Sequence, residues 1–139
     1  MTLMHASCVA VDGQAVLLRG KPGSGKSDLA IRLIDRGATL VGDDYVELSA
    51  EAGRLFAEVP DTIAGRLELR GIGLVSLPHA GRAPVALLVD LVAEEAVDRL
   101  PEVRQETIEG VAVPAIRLNA AACSAPVKVE FALRDHVGV

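Results

Sequence analysis

The sequence predicts an α/β fold, a mixed β-sheet with few helices, organised around one phosphate-binding loop. Three observations lead there. Leu17–Ser27 reads as a strand end, a glycine-rich turn and a helix start, with the pattern G-x-x-x-x-G-K-S over Gly20–Ser27. Ala38–Gly42 is an apolar strand that ends in two carboxylates, Asp43 and Asp44. Most of the remainder alternates short apolar runs with turn residues, a pattern of strands and hairpins.

Composition sets the bounds. A chain of 139 residues is most simply one domain, residues 1–139, with a single core. Half the residues are hydrophobic, yet only Tyr45, Phe56 and Phe131 are aromatic, so the core must be built from Val, Leu, Ile and Ala. A net charge of −5 with no basic run argues against nucleic acid as a partner. Cys8 and Cys123 form no disulfide or metal-binding pattern and are read as small core residues in a reducing compartment. No apolar run reaches membrane-spanning length, and Met1–Ser7 lacks a charged stretch before a hydrophobic one, so a cytoplasmic protein without a membrane partner is expected.

In chain order, His5–Val11 and Gln14–Arg19 flank Asp12-Gly13, a two-residue hairpin signal. That turn pairs Val11 with Gln14 and, carried further, sets His5 opposite Gly20. His5 is then either an ordinary strand-end histidine or a site residue. Gly20, Gly23 and Gly25 let the backbone turn tightly and bring its N–H groups close to phosphate oxygens. With Lys21, Pro22 and Ser24 they form the expected nucleotide site. Lys26 supplies a mobile cation for the β- and γ-phosphates, and the Ser27 hydroxyl can ligate Mg²⁺. Ser27–Arg36 is an amphipathic helix with Gly37 suited to its C-terminal cap. It runs about 15 Å away from the loop. Ala38–Gly42 returns as a strand, and a crossover of this kind brings Asp43 and Asp44 back to the edge where Lys26 sits. Adjacent carboxylates at that edge need a cation or proton to compensate them, which favours a metal-binding or catalytic pair over a solvated turn.

Tyr45–Ser49 and Arg54–Glu58 are strands around a turn at Ala50–Gly53, and Pro60–Gly65 is a loop or short helical turn. Arg66–Val75 alternates charged and apolar residues before two glycines; on pattern alone Glu68 and Arg70 share an exposed strand face. Pro84–Leu91 is an apolar strand, Ala93–Leu100 is polar with Arg99 read as a surface residue, and Thr107–Leu118 is a hairpin turning at Glu109-Gly110. For Ala120–His136 both strand and helix fit; the helix is preferred, its face carrying Val127, Phe131 and Arg134.

With these pieces placed, the chain resembles the catalytic domain of HPr kinase/phosphorylase, a phosphate-loop kinase fold related to phosphoenolpyruvate carboxykinase. The matches come in order: His5 before the hairpin, Gly20–Ser27, Leu40–Glu47, Leu67-Glu68-Leu69-Arg70-Gly71-Ile72-Gly73, and Asp98-Arg99-Leu100. The fourth is close to the family signature. The resemblance implies an ATP- and Mg²⁺-dependent kinase that phosphorylates a serine of the phosphocarrier HPr, or of a paralogue, in a sugar phosphotransferase system. It implies Asp44 as general base, Asp43 as support for the metal and for Asp44, and Ser27 and Glu68 as Mg²⁺ ligands. Lys26 would hold the phosphates, and His5 and Arg99 would lie near the transferred phosphoryl group. On the same ground the resemblance implies Arg70 as a site residue. Members commonly assemble as hexamers, so a homo-oligomer is expected.

Two departures qualify the match. The family's long form has an additional N-terminal domain, whereas this sequence begins almost at His5, so control by that domain should be absent or different. Members with phosphorylase activity carry a Pro-x-x-x-Gly-Arg-Asn type loop before the last helix. Here Arg117–Ser124 has no glycine, and no arginine after Arg117, so weak or absent phosphorolysis is expected. The competing readings are a small-molecule kinase, which an arginine-rich lid would support and the sequence lacks, and a nucleotide-binding switch that transfers nothing. The acid pair, beside a compact loop, favours chemistry over sensing.

Overall fold

The computed structural model describes residues 1–136, with His136 described by its backbone. The amino-terminal strand β1 (Thr2–Met4) is followed by β2 (Ser7–Val11), β3 (Gln14–Arg19), α1 (Lys26–Asp35) and β4 (Thr39–Gly42). Next come β5 (Val46–Glu51), β6 (Arg54–Glu58), β7 (Arg66–Leu69), β8 (Gly73–Ser76) and β9 (Ala83–Leu91). After a 3₁₀ turn at Glu94–Ala96, β10 (Arg104–Ile108), β11 (Val111–Leu118) and α2 (Ala125–His136) complete the chain. The expected mixed sheet with two helices is present. Its strand order is β1-β5-β6-β9-β3-β2-β4, and β11, carrying β10, adds to the other edge of β9 from β3. β7 and β8 form a separate hairpin.

Turn chemistry sets much of this order. The tight hairpins at Asp12-Gly13, Ala52-Gly53 and Glu109-Gly110 all place both central residues at positive φ (50° and 79°, 53° and 77°, 50° and 77°), as a type I′ turn requires. The first of these yields the expected register, Val11 against Gln14 through Ser7 against Leu18. The ladder ends there. β1 leaves the hairpin and pairs with β5, Thr2 opposite Leu48, so His5 lies exposed in the connection between β1 and β2 instead of opposite Gly20.

β2 is antiparallel to both β3 and β4, so β3 and β4 point the same way and their carboxyl ends share one edge of the sheet. The helix between them closes in a Schellman cap. Ala38 N–H donates to Leu33 O (3.1 Å) and Gly37 N–H to Ile34 O (2.9 Å), with Gly37 at φ 112°. The central strands are buried on both faces. Val16 and Leu18 of β3 pack with Leu29 and Leu33 of α1 and Val129 of α2, while Ala15 and Leu17 pack with Leu48, Leu55 and Val113. This two-sided burial is why Ala15–Leu18 and Ala86–Val89 are unbroken apolar runs.

α2 is the helix preferred over a strand, but its inward stripe is Ala125, Val129 and Leu133; Phe131 stands half exposed. Cys8 is buried, and burial pushes its thiol pKa up. Cys123 is exposed, because it sits in the turn before α2 instead of on a core face. Among the described residues no helix is long and apolar enough to cross a membrane.

An ion network fastens the strand that leads into the phosphate loop. Arg19 donates to both carboxylate oxygens of Asp90 on β9 (2.7 and 3.1 Å) and to both of Glu106 on β10 (2.6 and 2.7 Å). The Arg19 hydrogen bonds hold the Glu106 carboxyl below its ordinary range, and the two acids raise the Arg19 pKa.

Two outcomes are expected. Leu17→Ala opens a cavity at a fully buried position and should cost about 2–5 kcal/mol in urea unfolding. Glu106→Gln should lower stability by roughly 0.5–1 kcal/mol at neutral pH, given its partial exposure. A depressed carboxylate pKa contributes fully above its unfolded value and is lost as pH falls through the folded one. The difference in unfolding midpoint between wild type and Glu106→Gln should therefore close as the pH is brought below about 4.

Candidate active site

Gly20–Ser27 joins β3 to α1 at the sheet edge where β4 also ends. Gly20 is there because a side chain does not fit: a Cβ would lie 2.4 Å from Ser24 Oγ and 3.2 Å from Leu91 Cβ. Gly25 at φ 95° meets Ala120 Cβ in the same way, at 2.9 Å. The loop is braced internally by the Ser24 N–H on Lys21 O (3.0 Å), and Lys26 Nζ folds back to donate to Gly20 O (2.8 Å) and Lys21 O (3.2 Å). The buried Ser24 hydroxyl has no hydrogen-bond partner among the described residues.

Opposite the loop, the half-buried Asp43 carboxylate gathers the site. Oδ1 accepts from Ser27 Oγ (2.8 Å) and Ser7 Oγ (2.6 Å), and Oδ2 accepts from the Glu68 N–H (3.3 Å). The crossover expected from the β–α–β pattern is thus realised at hydrogen-bond distance. Asp44 follows in a left-handed conformation, φ 72°, with the Tyr45 N–H bonded to Asp43 O (2.9 Å). An i to i+2 bond around a positive-φ residue is the rarer, strained form of γ-turn. It exposes the Asp44 side chain to the cleft while Asp43 stays tied to the sheet.

The resulting open cleft, about 940 Å³, is lined by the loop, Asp43, Asp44, the Glu68–Gly73 stretch and Ala120-Ala121. Ser27, Asp43, Asp44, Glu68 and Arg70 therefore converge with Lys26 and the loop, while His5 and Arg99 do not. His5 is exposed in the β1–β2 connection and lies outside the cleft lining. Arg99 lines a different cavity, because the chain from Val92 to Val103 leaves β9 through the 3₁₀ turn before returning as β10.

Three members of the site have no motif in the sequence. Ser7 is a serine in a run of strand residues, and only its burial and its bond to Asp43 single it out. Ala120 and Ala121 reach the cleft because Arg32 of α1 donates to Ala120 O and to Ala122 O (3.2 Å), holding the segment against the loop.

Among the described residues no cluster of three or more His, Cys, Asp or Glu side chains is placed to cage a metal. Beside the loop, the cleft lining offers the Ser27 hydroxyl and the carboxylate residues Asp28, Asp43, Asp44 and Glu68. Such a sparse all-oxygen set fits Mg²⁺, which keeps waters and takes further oxygens from substrate phosphates.

Comparisons with known proteins agree with this geometry. The family described as HPr Serine kinase C-terminal domain matches residues 1–137. An HPr kinase/phosphorylase of Bordetella pertussis is 36% identical over 150 residues, covering 98% of this chain and 48% of that protein. One of Clostridium tetani is 40% identical over 77 residues, covering 55% of this chain and 25% of that protein. The chain thus spans half or less of the length of these relatives. Among solved structures, the Hpr(Ser) kinase/phosphatase from Coxiella burnetii superposes with a TM-score of 0.87 at 30% identity, covering 98% of this chain and 90% of that one. A glycine loop facing an acid-ended strand, in a fold matched over nearly its whole length, makes this chain a member of the HPr serine kinase C-terminal domain family.

Proposed function

We propose that the protein is an ATP- and Mg²⁺-dependent serine kinase whose acceptor is an HPr-type phosphocarrier protein. One observation carries the reading: Asp43 bridges the loop hydroxyl of Ser27 and the Glu68 backbone, while its neighbour Asp44 is turned free into the same cleft. A switch that only senses nucleotide has no use for a second, unengaged carboxylate beside the phosphate site.

The chain's own groups divide the work. The loop N–H groups and Lys26 hold the β- and γ-phosphates, with Lys26 exchanging its carbonyl partners for phosphate oxygens. Ser27 and Glu68 hold Mg²⁺, which when bound neutralises charge on the phosphates. Asp43 keeps the Ser27 hydroxyl in place and fixes the start of the Asp44 turn. Asp44 accepts the proton of the acceptor serine as the phosphoryl group arrives, a late transfer for which a carboxylate suffices. Arg70, also in the cleft lining, lies where it can balance phosphoryl charge. The roles near the phosphoryl group that the family pattern offers to His5 and Arg99 gain no support from the single-chain geometry. A cytoplasmic location, a single catalytic domain over residues 1–139 and assembly into a homo-oligomer accompany this proposal.

The cleft wall at Ala120-Ala121 offers no cationic side chain to a second anion. We therefore expect the reverse reaction, phosphorolysis of the phosphoserine to pyrophosphate, to be weak.

Asp44→Asn should lower phosphoryl transfer from labelled ATP to HPr by about 10²–10⁴-fold while leaving nucleotide affinity within a few-fold. Lys26→Ala should weaken both. Transfer by Asp44→Asn at the wild-type rate would remove the base from the mechanism, and the absence of label on any carrier serine with the wild-type protein would remove the kinase. Incubating phosphorylated HPr with inorganic phosphate should release little pyrophosphate; release at a rate matching the forward reaction would contradict the account of the Ala120-Ala121 wall.

A further inference from the structure

Ser7 reaches the site from inside the sheet. It opens β2 in a buried run whose other members, Ala6, Cys8, Val9 and Ala10, are all apolar. Among the described residues it is the only polar or charged one that is buried, with 0% of its surface exposed. A hydroxyl in such surroundings costs free energy unless it is hydrogen-bonded. Its partner is Asp43 Oδ1, at 2.6 Å and 36 positions away. The ladder between β2 and β4 is shaped for this contact. Val9 pairs with Leu40 but Cys8 pairs with Gly42, so β4 carries an extra residue, Val41, at a bulge. Continued regularly from Val9, the ladder would set Ser7 opposite Gly42. The bulge advances β4 by one position and sets Ser7 opposite Asp43 instead. Bulges recur beside active sites because they re-aim a side chain in this way.

Lone pairs decide what the contact does. A carboxylate oxygen accepts, and it has about two lone-pair sites. Oδ1 of Asp43 gives one to Ser7 and the other to Ser27, whose hydroxyl donates at 2.8 Å. With its proton committed to Oδ1, Ser27 Oγ has only lone pairs left to offer a cation. Oδ2 has one donor among the described residues, the Glu68 N–H at 3.3 Å. The Ser7 bond is shorter and comes from a fully enclosed group. It therefore does most to fix the carboxylate about its Cβ–Cγ bond, a torsion that is otherwise broad.

We propose that Ser7 is a positioning residue: by holding Asp43 Oδ1 it orients the Ser27 hydroxyl as a Mg²⁺ ligand, without touching metal or nucleotide itself. This role rests on the proposed Mg²⁺-dependent kinase function. Without the Ser7 hydroxyl, Oδ1 keeps a vacant lone pair that faces the sheet interior, and the carboxylate turns to satisfy it elsewhere. The Ser27 proton then loses its fixed acceptor, and the Ser27 lone pairs lose their fixed direction. Partners that orient a metal ligand from behind are worth about 10–100-fold in metal affinity.

The test measures the affinity of the full chain for a non-hydrolysable ATP analogue by calorimetry, once with Mg²⁺ and once with EDTA. The ratio of the two affinities is the Mg²⁺ enhancement. Ser7→Ala removes only the hydroxyl, in a run that already holds alanines, and should lower this enhancement at least about threefold. Ser7→Thr keeps the hydroxyl and should retain the wild-type enhancement. A purely structural serine would leave the ratio unchanged in Ser7→Ala, whether or not urea stability falls. That result, or a Thr variant as weak as the Ala variant, overturns the role of Ser7 alone. A wild type without an enhancement of that size would instead overturn the Mg²⁺-dependent kinase function, and this proposal with it.

Discussion

The Asp43 carboxylate is the point at which four distant stretches of chain become one site. Its two oxygens accept from Ser7 on β2, Ser27 at the start of α1 and the Glu68 backbone on β7, while its own carbonyl closes the turn that presents Asp44. Each is an ordinary hydrogen bond, but the acceptor is charged and half buried, so each is stronger than a neutral one and costly to leave unmade. Without this carboxylate, the phosphate loop, the acidic turn and the Glu68–Gly73 stretch would have no shared anchor.

That anchor depends on parallel strands. β3 and β4 reach the same edge because β2 lies between them and runs antiparallel to both. The loop after β3 and the acids after β4 are thereby neighbours, separated by the width of one strand. Arg19 secures the same edge from the other side, tying the last residue of β3 to Asp90 and Glu106. The phosphate loop is therefore suspended from a strand held on both flanks. Such support suits phosphoryl transfer, in which positioning and charge stabilisation are most of what a protein contributes.

Strain is concentrated where the chemistry is proposed. Asp44 adopts a left-handed backbone that a residue with a Cβ takes at some cost, outside a hairpin turn and without a glycine to absorb it. The other positive-φ residues with side chains, Asp12, Ala52 and Glu109, each precede a glycine in a tight hairpin. The Asp44 turn has a different effect: it points consecutive carboxylates to different tasks, one bound to the sheet and one open to the cleft.

The sequence by itself determined whatever is written in local backbone chemistry. Gly20, Gly23 and Gly25 announce the phosphate loop, Asp12-Gly13 sets the β2–β3 register, Gly37 ends α1, and the Leu67–Gly73 stretch marks the family. Each rests on conformations available to a few residue types at short range. Only the tertiary structure decided what depends on where separate segments land. Ser7 joined the site through a contact 36 positions away, which no pattern in a strand reveals. His5 left it because β1 found a partner in β5 instead of continuing along β3. Arg99 left it because the excursion between β9 and β10 carried it to a second cavity. A motif specifies the geometry of its own few residues, whereas the placement of a lone side chain is settled by packing across the whole sheet.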